Sequence, residues 1–130
     1  FEKDLEVLIM PIDFTKDTRQ KVPWTIEFVK MFPNAVIHVL GIYSSTSKSI
    51  RDIVDKYVLS VEHLLDSKGL KYTTDFIEAE NTTLSTIDYA NKNNADLIVI
   101  MSEQEKTLSN IFLGPYAQQM INNSHIKKLP

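Results

Sequence analysis

Residues 95–119 read ADLIVIMSEQEKTLSNIFLGPYAQQ, and this stretch decides the fold. Leu97-Ile98-Val99-Ile100-Met101 is a short, unbroken apolar run, the composition of a strand buried on both faces of a parallel sheet. A polar stretch follows from Ser102, and Gly114-Pro115 then opens a helical segment. Proline suits the first helical position, because no amide donor is needed there and its fixed φ matches the turn. Strand, loop and helix start make up the unit with which α/β proteins hold a phosphate at a helix N-terminus.

Upstream, apolar runs and helical patterns alternate. Residues 5–12 (LEVLIMPI) form a first buried strand, with Pro11 at its end because proline cannot donate to a central ladder. Asp13-Phe14-Thr15 is the first strand-to-helix loop, and Asp17 with Gln20 makes a capping box for a helix over 17–32. Val22, Ile26 and Val29 line one face of that helix; Trp24, Phe28 and Phe32 line the next. Pro23 kinks or restarts its first turn, and Pro33-Asn34 ends it. Residues 36–42 (VIHVLGI) are the second strand, in which His38 reads as a satisfied core group rather than a ligand. The segment 43–48 (YSSTSK) is a solvated connection.

Ser49 with Asp52 caps the longest helix, which stops at Gly69. Ile50, Ile53, Val54, Tyr57, Val58, Val61, Leu64 and Leu65 keep the helical apolar period. Tyr72, Thr74 and Phe76 alternate with Lys71, Thr73 and Asp75, the pattern of a half-exposed edge strand. Thr82-Thr83 caps a short helix with Leu84, Ile87 and Ala90 on its core face, ending at Asn93-Asn94. The fourth strand is 97–101, and a last helix over 115–123 buries Ala117, Met120 and Ile121.

Composition sets outer bounds. The chain has 130 residues, 43% hydrophobic and 24% charged, which is one soluble domain with enough length to bury a core. A net charge of −3 with scattered basic residues gives no footprint for nucleic acid or an anionic membrane surface. The absence of cysteine excludes disulfides and thiolate chemistry and fits a reducing cytoplasm. No apolar run approaches the ~20 residues that span a bilayer, and the acidic opening Phe1-Glu2-Lys3-Asp4 does not read as a secretory leader.

Two stretches carry a family resemblance. ADLIVI followed by the loop to Gly114, and PIDFTKDT at the first strand, resemble the signatures of the universal stress protein family. The resemblance implies an open parallel sheet with helices on both faces. It also implies a Rossmann-like arrangement of the adenine-nucleotide α-hydrolase type, with strand order 3-2-1-4-5. Alternating strands and helices, with the half-exposed third strand at an edge, agree with that order. The C-terminal segment 125–130 (HIKKLP) is not the family's final apolar strand, so the fifth strand is expected to be short or absent.

The family's nucleotide loop runs Gly, two residues, Gly, nine residues, Gly, then Ser or Thr. In that register this chain has Met101, Gln104, Gly114 and Pro115. Glycines there let the backbone approach a phosphate. Met101 and Gln104 obstruct the approach, and Pro115 withdraws a hydroxyl and an N–H. Glu103 and Glu105 add charge; at ~5–8 Å from a polyphosphate each opposes binding by roughly 0.5–1 kcal/mol. With ~1–3 kcal/mol for the lost donors, the expected weakening is about a hundredfold or more.

By the same resemblance, Asp13 occupies the position that reaches the adenine and ribose end. Satisfying loop amides is an equally open reading of it. Asp13, Ser102, Gly114 and Pro115 are therefore the candidate residues of a vestigial nucleotide crevice. His38, His63 and His125 show no metal-ligand spacing, and no serine lies in a nucleophile-elbow context.

The expectation is a non-catalytic, cytoplasmic stress-response module with no cofactor. An ATP- or AMP-binding stress protein is the first alternative, and a nucleotide hydrolase of the related fold group is the second. The resemblance further implies a homodimer or tandem-domain partner through the fourth-strand and C-terminal edge, without nucleic acid or membrane. The start at Phe1 rather than Met fits one half of a tandem chain, with residues 1–130 as a single domain.

Overall fold

Apolar and alternating runs pair side by side because a strand can satisfy its backbone only through neighbours. The computed structural model describes residues 5–15 and 22–99, with the backbone of 111–113. In chain order these give strand β1 (Val7–Ile12), helix α1 (Val22–Val29), β2 (Val36–Tyr43) and α2 (Lys48–Ser67). Then come β3 (Tyr72–Glu78), α3 (Thr82–Lys92), β4 (Leu97–Val99) and β5 (Ile111–Leu113). They form one sheet in the order β3-β2-β1-β4-β5. The pairs β1–β2, β2–β3 and β1–β4 are parallel, as expected.

The far edge differs in detail from expectation. β5 is short and antiparallel to β4, pairing Leu97 with Leu113 and Val99 with Ile111. It comes from the stretch read as loop: three apolar residues between polar ones carry too little period to be recognised as a strand. The expected capping box at Asp17 and the helix over 115–123 lie outside the described residues, as does 125–130.

Register sorts the side chains. Ile9, His38 and Thr73 are aligned across β1, β2 and β3, with Ile98 of β4 beside Ile9. Leu8, Ile37 and Tyr72 line the opposite face with Leu97. On that second face Leu8, Met10, Ile12, Ile37 and Val39 pack with Val22, Ile26 and Val29 of α1 and Val54, Val58, Val61 and Leu65 of α2. On the first, Ile9, Leu40, Ile42 and Ile98 pack with Ala90 and Ile87 of α3. Right-handed crossovers require this split, since two successive steps go one way along the sheet and the third returns.

Several caps and faces depart from the sequence reading. α2 begins a residue before Ser49, with Ser47 as its N-cap and no side-chain cap bond. Leu64, read as core, is 37% exposed, and Leu84 is 62% exposed while Thr86 is buried in its stead. α3 is capped by Asn81, whose Oδ1 accepts from Leu84 N at 2.9 Å, and Thr82 is free to act elsewhere. α1 ends at Val29, a turn before Phe32. At the amino end of the sheet, Asp96 binds β1 to β4: its Oδ2 accepts from the backbone N–H groups of Glu6 and Val7, both at 3.0 Å.

Candidate functional site

Parallel strands put all their carboxyl ends on one rim, and the order 3-2-1-4 places the switch point between β1 and β4. Asp13 follows β1 there and is buried. Its Oδ1 accepts from the Thr15 N–H at 2.8 Å and the Thr15 hydroxyl at 2.7 Å. Its Oδ2 accepts from the Thr82 hydroxyl at 2.9 Å. A carboxylate offers about four acceptor positions, so at least three are filled from within the protein. Thr82 opens α3, so Asp13 also lies where a helix N-terminus favours negative charge. The loop-satisfying reading of Asp13 is therefore observed. Ser102, Gly114 and Pro115, together with Met101 and Gln104, lie outside the described residues.

Next to Asp13 on the same rim, a cleft of about 490 Å³ opens between the loops after β2 and β3. Tyr43, Ser44, Ser45 and Thr46 form one wall; Glu78, Ala79 and Glu80 form the other. Sequence reasoning left 43–48 as a plain connection, yet Tyr43 is the last residue of β2 and part of a fixed cluster. Its ring stacks on Phe76 at 5.3 Å between centroids, and the Arg51 guanidinium lies 4.0 Å from the ring centre. Arg51 also pairs with Glu78 at 2.7 Å, and the Tyr43 hydroxyl donates to Asp55.

Burial, reinforced by Asp55, pushes the Tyr43 hydroxyl up to about 12, so it remains a neutral donor and no nucleophile. Among the described residues the lining offers hydroxyls and carboxylates, and the Glu78 carboxylate is already paired with Arg51 behind the wall. Such walls suit neutral or positively charged polar groups better than a phosphate. The signal for this cluster was weak, because Arg51 and Glu78 are brought together only by the crossover that joins α2 to β3. Loops after parallel strands are where a ligand-facing wall is expected, and that rule alone pointed here.

His38 corrects an expectation. It lies under α3 on the first face of the sheet, but its buried Nδ1 has no hydrogen-bond partner among the described residues. Burial lowers its pKa, while Asp75 pulls the other way. Sequence pattern showed a buried position but not what would face the ring. Among the described residues no three His, Cys, Asp or Glu side chains gather to hold a metal, and no helix is long and apolar enough to cross a membrane.

Comparison with known proteins gives three concordant findings. The model of the Universal stress protein family matches residues 6–128. A universal stress protein of Methanocaldococcus jannaschii is 25% identical over 121 residues, covering 93% of this chain and 70% of that protein. The crystal structure of a protein from the universal stress protein family of Burkholderia pseudomallei superposes with a TM-score of 0.56. It does so at 11% identity, covering 92% of this chain and 89% of the other. At that identity the superposition speaks for the fold.

Proposed function

The chain belongs to the universal stress protein family, and on that premise we propose that it is a non-catalytic regulatory module whose hold on adenine nucleotides is weakened or lost. The observation that carries this reading is the state of Asp13. Its carboxylate is occupied by Thr15 and Thr82, leaving little acceptor capacity for a ligand at the switch point. Two further features support it. Met101, Gln104 and Pro115 replace the glycines and hydroxyl expected of a phosphate loop, and the neighbouring cleft is lined by Glu78 and Glu80, with the cation beside it, Arg51, already paired with Glu78. Cytoplasmic residence and association with a second copy or a tandem domain through the β4–β5 edge of the sheet complete the proposal.

The competing reading is an ATP- or AMP-binding stress protein, favoured by the position of Asp13 and the cleft on the rim where α/β sheets take ligands. One measurement separates the two. Purified protein is denatured and its supernatant analysed by anion exchange and mass spectrometry, while fresh protein is titrated with ATP in a calorimeter with and without magnesium. The expected result is no stoichiometric nucleotide and a dissociation constant no tighter than millimolar. Near-stoichiometric adenine nucleotide, or a micromolar constant, refutes the proposal.

A further inference from the structure

We propose that Asp75 closes the outer edge of β3 to strand addition, so that a second copy of this chain cannot extend the sheet on that side. β3 is the terminal strand of the sheet order, and an edge of seven residues with no neighbouring strand among the described residues is a template for another chain. Which of its amides face outward follows from the ladder. Ile37 N donates to Lys71 O, and Ala79 N donates to Tyr43 O, so the odd-numbered residues of this strand point their backbone groups at β2. The amides and carbonyls of Tyr72, Thr74, Phe76 and Glu78 therefore point away from the sheet.

One of these four amides is taken. The Phe76 N–H donates to Asp75 Oδ1 at 3.0 Å, near the middle of the exposed edge. The other oxygen, Oδ2, accepts from the Tyr89 hydroxyl of α3 at 3.2 Å. The carboxylate is thus held from two sides, across the edge and down onto the helix. An incoming strand must present a carbonyl to Phe76 N where a negatively charged oxygen already lies. To pair there it has to displace that oxygen from Phe76 and strain its bond to Tyr89. An inward-leaning charge in the middle of an edge is one of the devices by which sheets avoid lateral association. The need is local, because the Phe76 ring beside that amide is 41% exposed and would otherwise add an apolar contact to any docking strand.

Amide hydrogen exchange and light scattering test this together. Thr74 is the internal control, since its amide faces outward by the same ladder without Asp75 across it. In the unmodified protein Phe76 is expected to exchange about tenfold more slowly than Thr74, the factor one charge-assisted hydrogen bond supports. Asp75→Ala is expected to abolish that difference and to shift association to concentrations at least about tenfold lower, giving masses above those of the parent. Asp75→Asn, which retains a side-chain carbonyl, is expected to preserve most of the protection. Equal exchange at Phe76 and Thr74 in the parent overturns the proposal, whether or not Asp75→Ala folds. So does a folded Asp75→Ala whose mass follows the parent's at every concentration.

Discussion

Replacing Gly41 by alanine isolates what holds the β2–β3 rim in shape. A Cβ at Gly41 would lie 2.5 Å from Cδ1 and 2.6 Å from Cε1 of Phe76, with Val58 Cγ2 at 3.2 Å. Val58 is buried and cannot retreat, so the Phe76 ring must swing outward. That motion abandons the stack on Tyr43, worth about 0.5–1.5 kcal/mol, and returns apolar area to water at about 1 kcal/mol. Against this, removing a glycine from a strand interior returns about 0.5–1 kcal/mol. The balance is a loss of about 0.5–2 kcal/mol, read as a lower urea midpoint with unchanged slope. The decisive step is the double-mutant cycle. With Phe76→Ala already present the clash is gone, and Gly41→Ala is then expected to be neutral or mildly stabilising. If it destabilises as much without the ring as with it, the clash is not the reason for the glycine.

Protonation of His38 gives a second handle. Its folded pKa lies below the ordinary 6.5, so below that pH the unfolded chain binds more protons and stability falls as pH drops. His38→Gln is expected to flatten that decline in urea titrations between pH 7 and 5, and an unchanged slope would dissociate the decline from His38. Asp96→Ala strands two backbone amides at the amino end of the sheet and is expected to cost about 2–4 kcal/mol. Asp96→Asn, which retains an acceptor, is expected to cost less; equal losses would count against the paired bonds to Glu6 and Val7. Restoring the phosphate loop with Met101→Gly, Gln104→Gly and Pro115→Ser together is expected to raise ATP affinity at least about tenfold. Calorimetry on the folded triple variant checks it, and no gain would mean that the obstruction lies elsewhere.

Sequence carried the fold well where burial is two-sided or strictly periodic. VLIM in β1, LIV in β4 and the apolar stripe of α2 are continuous enough that one pattern fits. The alternation at Tyr72, Thr74 and Phe76 placed β3 at an edge for the same reason. Caps were harder, because Asn81, Thr82 and Thr83 are all competent N-caps by type. What separates them is Asp13, distant in sequence, which draws the Thr82 hydroxyl away. The Tyr43 cluster was invisible for a related reason: stacking, a guanidinium contact and an ion pair join three elements with no local signature. Asp13 was half legible, since its type and position were informative but its partners were not.

The clasp at Asp96 has a kinetic side. The bonds it makes to Glu6 and Val7 join residues up to 90 apart, whereas β1–β2 and β2–β3 pair across single crossovers. Loop-closure entropy grows with the length enclosed, so the β1-β2-β3 half is expected to assemble first and β4 to dock late. Until it does, the sheet ends at β1, whose Leu8, Ile9 and Met10 are fully covered only in the finished fold. The period of greatest vulnerability to aggregation thus falls before β4 arrives, when a strand without a single polar side chain is temporarily the border of the sheet.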